Sequence, residues 1–124
     1  MGGRLVVEAL RAADPAIKVV AHDEVFARDT TDEAWLPVVG ERDWILITKD
    51  QRIRKHPLQR QALRRARVRA FFFTGGNVTG PEMAEIVASR LATILKLAKA
   101  TPAPFQARIT GSGRVSLIDE EQGG

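Results

Sequence analysis

Cysteine is absent from this chain, so disulfides, thiolate metal sites and cysteine nucleophiles are all excluded. Absence of disulfides fits a reducing compartment. No apolar run is long enough to span a bilayer, and the amino terminus lacks the hydrophobic segment of a secretory signal, so a cytoplasmic protein away from membranes is expected. Neither Walker nor dinucleotide-binding glycine spacing occurs. Internal repeats are also missing, as is any linker long enough to divide the chain. Its 124 residues are therefore expected to form one domain, 1–124, with a modest core.

What is present is an uneven distribution of charge. The net charge is only +4, from 19 basic and 15 acidic residues. Nine of the basic residues fall between Lys49 and Arg69, with Asp50 the one acid among them. That segment carries +8 and the remainder −4. Seven of the nine are arginines, whose planar guanidinium suits bidentate phosphate contacts. A solvated helix face is the plain explanation of such a run; phosphate backbones or an acidic partner protein are the functional ones.

The organising stretch is Trp44-Ile45-Leu46-Ile47-Thr48-Lys49-Asp50. Trp44 to Ile47 reads as a strand buried on both faces. Asp50 then stands at its carboxyl end, where open α/β sheets place ligands, although a carboxylate there also serves as a helix cap.

Ahead of it, Leu5, Val6, Leu10 and neighbouring alanines predict a helix ended by Asp14-Pro15. Ala16 to Ala21 reads as a strand closed by His22-Asp23-Glu24. Thr30 and Glu33 have capping-box spacing before the apolar Trp35, Leu36, Val38 and Val39, with Gly40 as the stop. Local structure alone accounts for Asp32 and Glu33 as first-turn acids; the alternative is that one shares a metal ion with Asp50.

After Asp50 a turn or short helix breaks at His56-Pro57. Leu58 to Ala66 then predicts a basic helix with Leu58, Ala62 and Leu63 as its apolar stripe. Val68 to Thr74 reads as a second buried strand, closed by Gly75-Gly76-Asn77. Thr79-Gly80-Pro81-Glu82 opens what reads as the longest helix, its stripe running from Met83 through Ile86, Val87, Leu91, Ile94 and Leu95 to Ala98. Phe105 to Thr110 and Val115 to Ile118 predict a hairpin, and 119–124 a frayed tail.

The WILITKD stretch, the basic residues after it, the segment His56 to Leu63, and the upstream His22 to Phe26 and Thr31 to Leu36 together resemble the PIN-like proteins of the VapC toxin class. The resemblance implies a three-layer α/β fold with a small, mainly parallel sheet flanked by helices, plus a carboxyl-terminal hairpin. It also implies a toxin-like endoribonuclease that depends on Mg²⁺ or Mn²⁺ and is neutralised by a small antitoxin. Hard divalent cations prefer oxygen ligands, which is why such sites gather carboxylates. By this resemblance Asp50 and Asp32 are metal ligands and catalytic, Asp23 is a further ligand, and Asn77 stands in for a late acidic one. Lys49, Arg52, Arg54, Arg60 and Arg64 would contact RNA.

Two departures accompany the resemblance. Met1-Gly2-Gly3 leads directly into the first helix, so the usual first strand and its aspartate are not expected. Arg52 occupies a position where related sequences often carry another aspartate, and it repels a cation while attracting phosphate. Exposed apolar neighbours of the missing strand would favour a homodimer. The alternative reading is a non-catalytic PIN-like module that binds RNA or an acidic partner protein through the Lys49–Arg69 stretch.

Overall fold

The computed structural model of the chain describes residues 2–14, 31–49, 53, 55–74 and 78–118. Among these, five helices and four strands form three layers. They are α1 (Gly2–Ala13), α2 (Asp32–Glu41), β1 (Ile45–Thr48), α3 (Pro57–Ala66), β2 (Arg69–Phe73), α4 (Gly80–Ser89), α5 (Leu91–Ala100), β3 (Phe105–Ile109) and β4 (Val115–Leu117). Strand order is β1-β2-β3-β4, with the first two pairings parallel and the last antiparallel. This is the expected mainly parallel sheet with its closing hairpin.

Side chains of a strand alternate between faces, and β2 shows why the fold needs helices on both. Phe71 and Phe73 enter a cluster with Leu10, Met83, Val87, Ile94, Phe105 and Ile109, so α1, α4 and α5 cover that face. Ala70 and Phe72 enter a second cluster with Trp35, Leu36, Val39, Ile53 and Leu63, so α2 and α3 cover the other. Phe71 and Phe72 are fully buried on opposite faces, as the continuous apolar run requires. Phe71 meets Phe105 edge to face, with ring centroids 5.5 Å apart.

Several local expectations are corrected. The Trp44–Ile47 run is half-buried, not buried on both faces, because β1 has a strand neighbour on one side only among the described residues. The strand proper begins one residue later, at Ile45. The residue capping α2 is Thr31 rather than Thr30, and its side chain makes no capping hydrogen bond. Nor does Gly40 stop that helix. It runs on to Glu41, and Asp43 at φ +59° provides the left-handed residue of the turn. There Asp43 N donates to Gly40 O (3.1 Å) and Trp44 N to Val39 O (3.0 Å), the paired bonds of a Schellman ending.

The single long helix divides at Arg90 into two ten-residue helices, leaving α1 with 12 residues as the longest described. No proline or glycine marks the break, and Met83, Val87, Ile94 and Ala98, on both sides of it, reach one cluster. Leu58 leaves the apolar stripe altogether, being 64% exposed, while Leu63 carries the burial of α3. The α4 start is as expected: Glu82 N donates to Thr79 Oγ1 (3.3 Å), and Thr79 N donates to Glu82 Oε1 (3.0 Å). The strand expected at Ala16 to Ala21 and the tail 119–124 lie outside the described residues. No helix among the described residues is long and apolar enough to cross a membrane.

Candidate active site at the carboxyl end of the sheet

The turn Arg42-Asp43-Trp44 joins α2 directly to β1, so the helix runs antiparallel to the strand. Ten helical residues rise about 15 Å and four strand residues about 13 Å, so the two elements nearly match in length. Asp32, the first residue of α2, therefore lies at the same end of the sheet as Thr48 and Lys49. Lys49 is exposed there and immediately precedes Asp50.

The other expected site residues divide between described and undescribed positions. Asp23, Asp50, Arg52, Arg54 and Asn77 lie outside the described residues, as do His22 and Glu24. Arg60 and Arg64 lie on α3, half-buried and exposed respectively. Among the described residues, no group of three or more histidines and acids forms a metal-holding cluster.

Because α3 connects the parallel strands β1 and β2, it runs back along the sheet from carboxyl to amino end. Its Pro57-Leu58 start shares the end occupied by Asp32, and its Arg64–Arg65 turn points to the opposite one. The basic stretch therefore spans the whole height of the sheet and does not form one cluster.

Its last arginines hold the amino end together. Arg67 adopts φ +57° after α3 and donates from Nη2 to Ala103 O at 2.8 Å. Arg69 donates from Nη2 to Asp43 O and pairs with the Asp43 carboxylate at 3.2 Å. Neither role was legible in sequence, where both looked like members of a phosphate-binding run. Gly40 was missed too: a Cβ built there would stand 1.7 Å from Ala66 O, so the glycine is what lets α2 and α3 touch backbone to backbone. An open cleft of about 480 Å³ lies at this amino end, lined by residues that include Pro37, Glu41, Asp43, Arg65 and Arg67.

A family model described as a PIN like domain matches residues 1–75, from α1 through β2. No curated protein matches the chain, and no solved structure does. The matched portion is more than half of the 124 residues and contains the α2–β1–α3–β2 unit that puts the start of α2 at the same end of the sheet as the end of β1. By that match and its three-layer α/β fold, the chain belongs to the PIN-like domain family.

Proposed function

We propose that this PIN-like domain is a metal-dependent endoribonuclease of the toxin type, held in check by a small antitoxin protein. The observation that carries the reading is that α2 begins, with Asp32, at the end of the sheet where β1 finishes and Lys49 leads in sequence into Asp50. Family membership supports nuclease chemistry, and the basic stretch supports a polyanionic substrate.

Carboxylate oxygens are the right donors for Mg²⁺ or Mn²⁺, and in this proposal Asp50, Asp32 and Asp23 hold the ion. When bound, such an ion lowers the pKa of a coordinated water and neutralises charge on a phosphate. The chain's own part is to bind and orient. Lys49, Arg52 and Arg54 flank the acids in sequence and offer positive charge to the phosphates on either side of the scissile bond.

Titration calorimetry with Mn²⁺ tests the ligand assignment. The wild-type protein should bind the ion and Asp50→Asn should lose most of that affinity; equal binding by both proteins would remove Asp50 from the site.

The second reading, a non-catalytic module that binds RNA through the same basic stretch, is favoured by Arg52. It puts a cation two positions after the principal acid. In that case RNA affinity survives chelation, falls with salt, and comes with no turnover.

A further inference from the structure

Two of the clefts in the molecule differ in kind. A shallow groove of about 230 Å³ on α3 is lined by Pro57, Leu58, Arg60, Gln61 and Arg64, and all its charge is positive. The cleft of about 480 Å³ at the amino end of the sheet brings both signs together. Its volume is in the range of small-molecule sites. The candidate active site lies at the other end of the strands and uses none of its residues.

Two helix endings build this cleft. Glu41 closes α2 and Asp43 stands in the turn after it, whereas Arg65 lies in the last turn of α3 and Arg67 follows. The acids therefore come from one ending and the arginines from the other. Pro37, Gly40, Ala66 and Ala103 complete the lining without charge, and Gly40 and Ala66 are where the two helices meet. Asp43 pairs with Arg69 at 3.2 Å, and Arg67 gives one N–H of its guanidinium to Ala103 O at 2.8 Å. Glu41 and Arg65 are exposed, and their side chains make no hydrogen bond or ion pair. Opposite charges thus line one cleft without neutralising each other. Asp43 and Arg67 are also the non-glycine residues at positive φ, +59° and +57°, among the described residues. Glycine is the usual residue at such an ending, and a side chain there carries a conformational cost. Here that cost sets an acid and a base on the same cleft, and backbone strain of this kind gathers at ligand clamps.

An anion alone would meet Glu41 as well as the arginines, and a cation alone would meet both arginines. A molecule with one charge at each end meets neither conflict. We propose that this cleft binds a small linear zwitterion of the ω-amino acid class, its carboxylate on Arg65 and Arg67, its ammonium on Glu41 and its aliphatic middle over Gly40 and Ala66. Planar guanidinium groups suit the carboxylate, and the carboxyl end of α2 adds partial negative charge beside the ammonium. Bound there, the ligand ties the ending of α2 to that of α3 and favours the folded chain by mass action.

The test is titration calorimetry at low salt with ε-aminocaproate, and with caproate and hexylamine as its two single-charge halves. Thermal unfolding of the same mixtures gives a second readout. Three variants are compared with the wild-type chain: Glu41→Lys, Arg65→Glu, and the two together. Both positions are exposed, so the variants keep the fold.

The wild-type chain should bind ε-aminocaproate and unfold at a higher temperature with it. Each half should bind about fivefold more weakly, the worth of one exposed ion pair. Each single reversal should weaken the zwitterion about tenfold, since it replaces attraction by repulsion. The double reversal should recover most of that loss, because a linear zwitterion fits turned end for end. Absence of ε-aminocaproate binding to the wild-type chain would overturn the proposal. So would a half that binds as tightly as the whole, affinity indifferent to both reversals, or a double variant no better than the single ones.

Discussion

Gly40→Ala is the substitution for which structure and intrinsic helix propensity give opposite signs. On an exposed helix, glycine to alanine gains about 1 kcal/mol. At Gly40 the new methyl would stand 1.7 Å from Ala66 O, a main-chain atom that no rotamer change can move aside. Restoring van der Waals contact means opening the α2–α3 interface by roughly 1.5–2 Å. The residues prised apart include Trp35, Leu36, Val39 and Leu63, all buried in one cluster. Overpacking a core costs about 1–3 kcal/mol, and lost contact around these side chains adds to it, so a net loss of about 3 kcal/mol is expected. With a urea m-value of about 1–3 kcal/mol/M, the midpoint should fall by about 1–3 M while the slope holds. Glu41→Ala, on the exposed surface one residue further on, should stay within about 0.5 kcal/mol. A Gly40→Ala midpoint equal to or above wild type would refute the close approach of α2 to α3.

Other consequences are also measurable. Thr79→Ala removes the α4 cap and should cost about 1 kcal/mol in chemical denaturation. The Glu82 carboxyl is held below its ordinary value, chiefly by the Thr79 backbone N–H and also by its hydroxyl. A depressed carboxylate stabilises above its unfolded-state pKa, and that contribution disappears as pH falls through the lower folded value. NMR titration should therefore find Glu82 titrating low in the wild-type chain and moving only part of the way back in Thr79→Ala, which removes the hydroxyl and keeps the backbone N–H. Asp43→Gly relieves a left-handed residue at the loss of an ion pair whose acid is 83% exposed, and should raise stability by about 0.5–1 kcal/mol in thermal unfolding. Phe72→Ala, in the cluster under α2 and α3, should cost about 3–5 kcal/mol by urea titration.

The fold was legible wherever one local signal decided the outcome. Phe71-Phe72-Phe73 reads as a strand covered on both sides because a triple aromatic run leaves neither face for water, and both clusters use it. Thr79-Gly80-Pro81-Glu82 announced α4 through chemistry contained within four residues. Illegible features were those set by distant partners. No glycine or proline near Arg90 marks the division of α4 from α5, and the buried residues on either side keep the spacing of one continuous helix. The half-burial of β1 depends on its place in the strand order, which its own composition does not encode. Gly40 looked like a stop signal because its contact, Ala66, is 26 residues away. At the candidate site, the TKD motif and Asp32 were readable as separate signals. Their common end of the sheet follows only from the direction in which α2 runs. Composition grouped Arg67 and Arg69 with Arg60 and Arg64, and only tertiary contacts separate the arginines that lock the amino end from those lining the α3 groove.

The most direct test of the central claim is cleavage of an end-labelled single-stranded RNA by the wild-type chain and by Asp50→Asn and Asp32→Asn. Each protein is incubated with Mn²⁺ and, in parallel, with EDTA. The account predicts cleavage by the wild-type chain with metal only, and a loss of at least a hundredfold in rate for either variant with RNA affinity preserved, as expected where binding and chemistry use different side chains. Cleavage that persists in EDTA, or that proceeds at the wild-type rate in both variants, would contradict it.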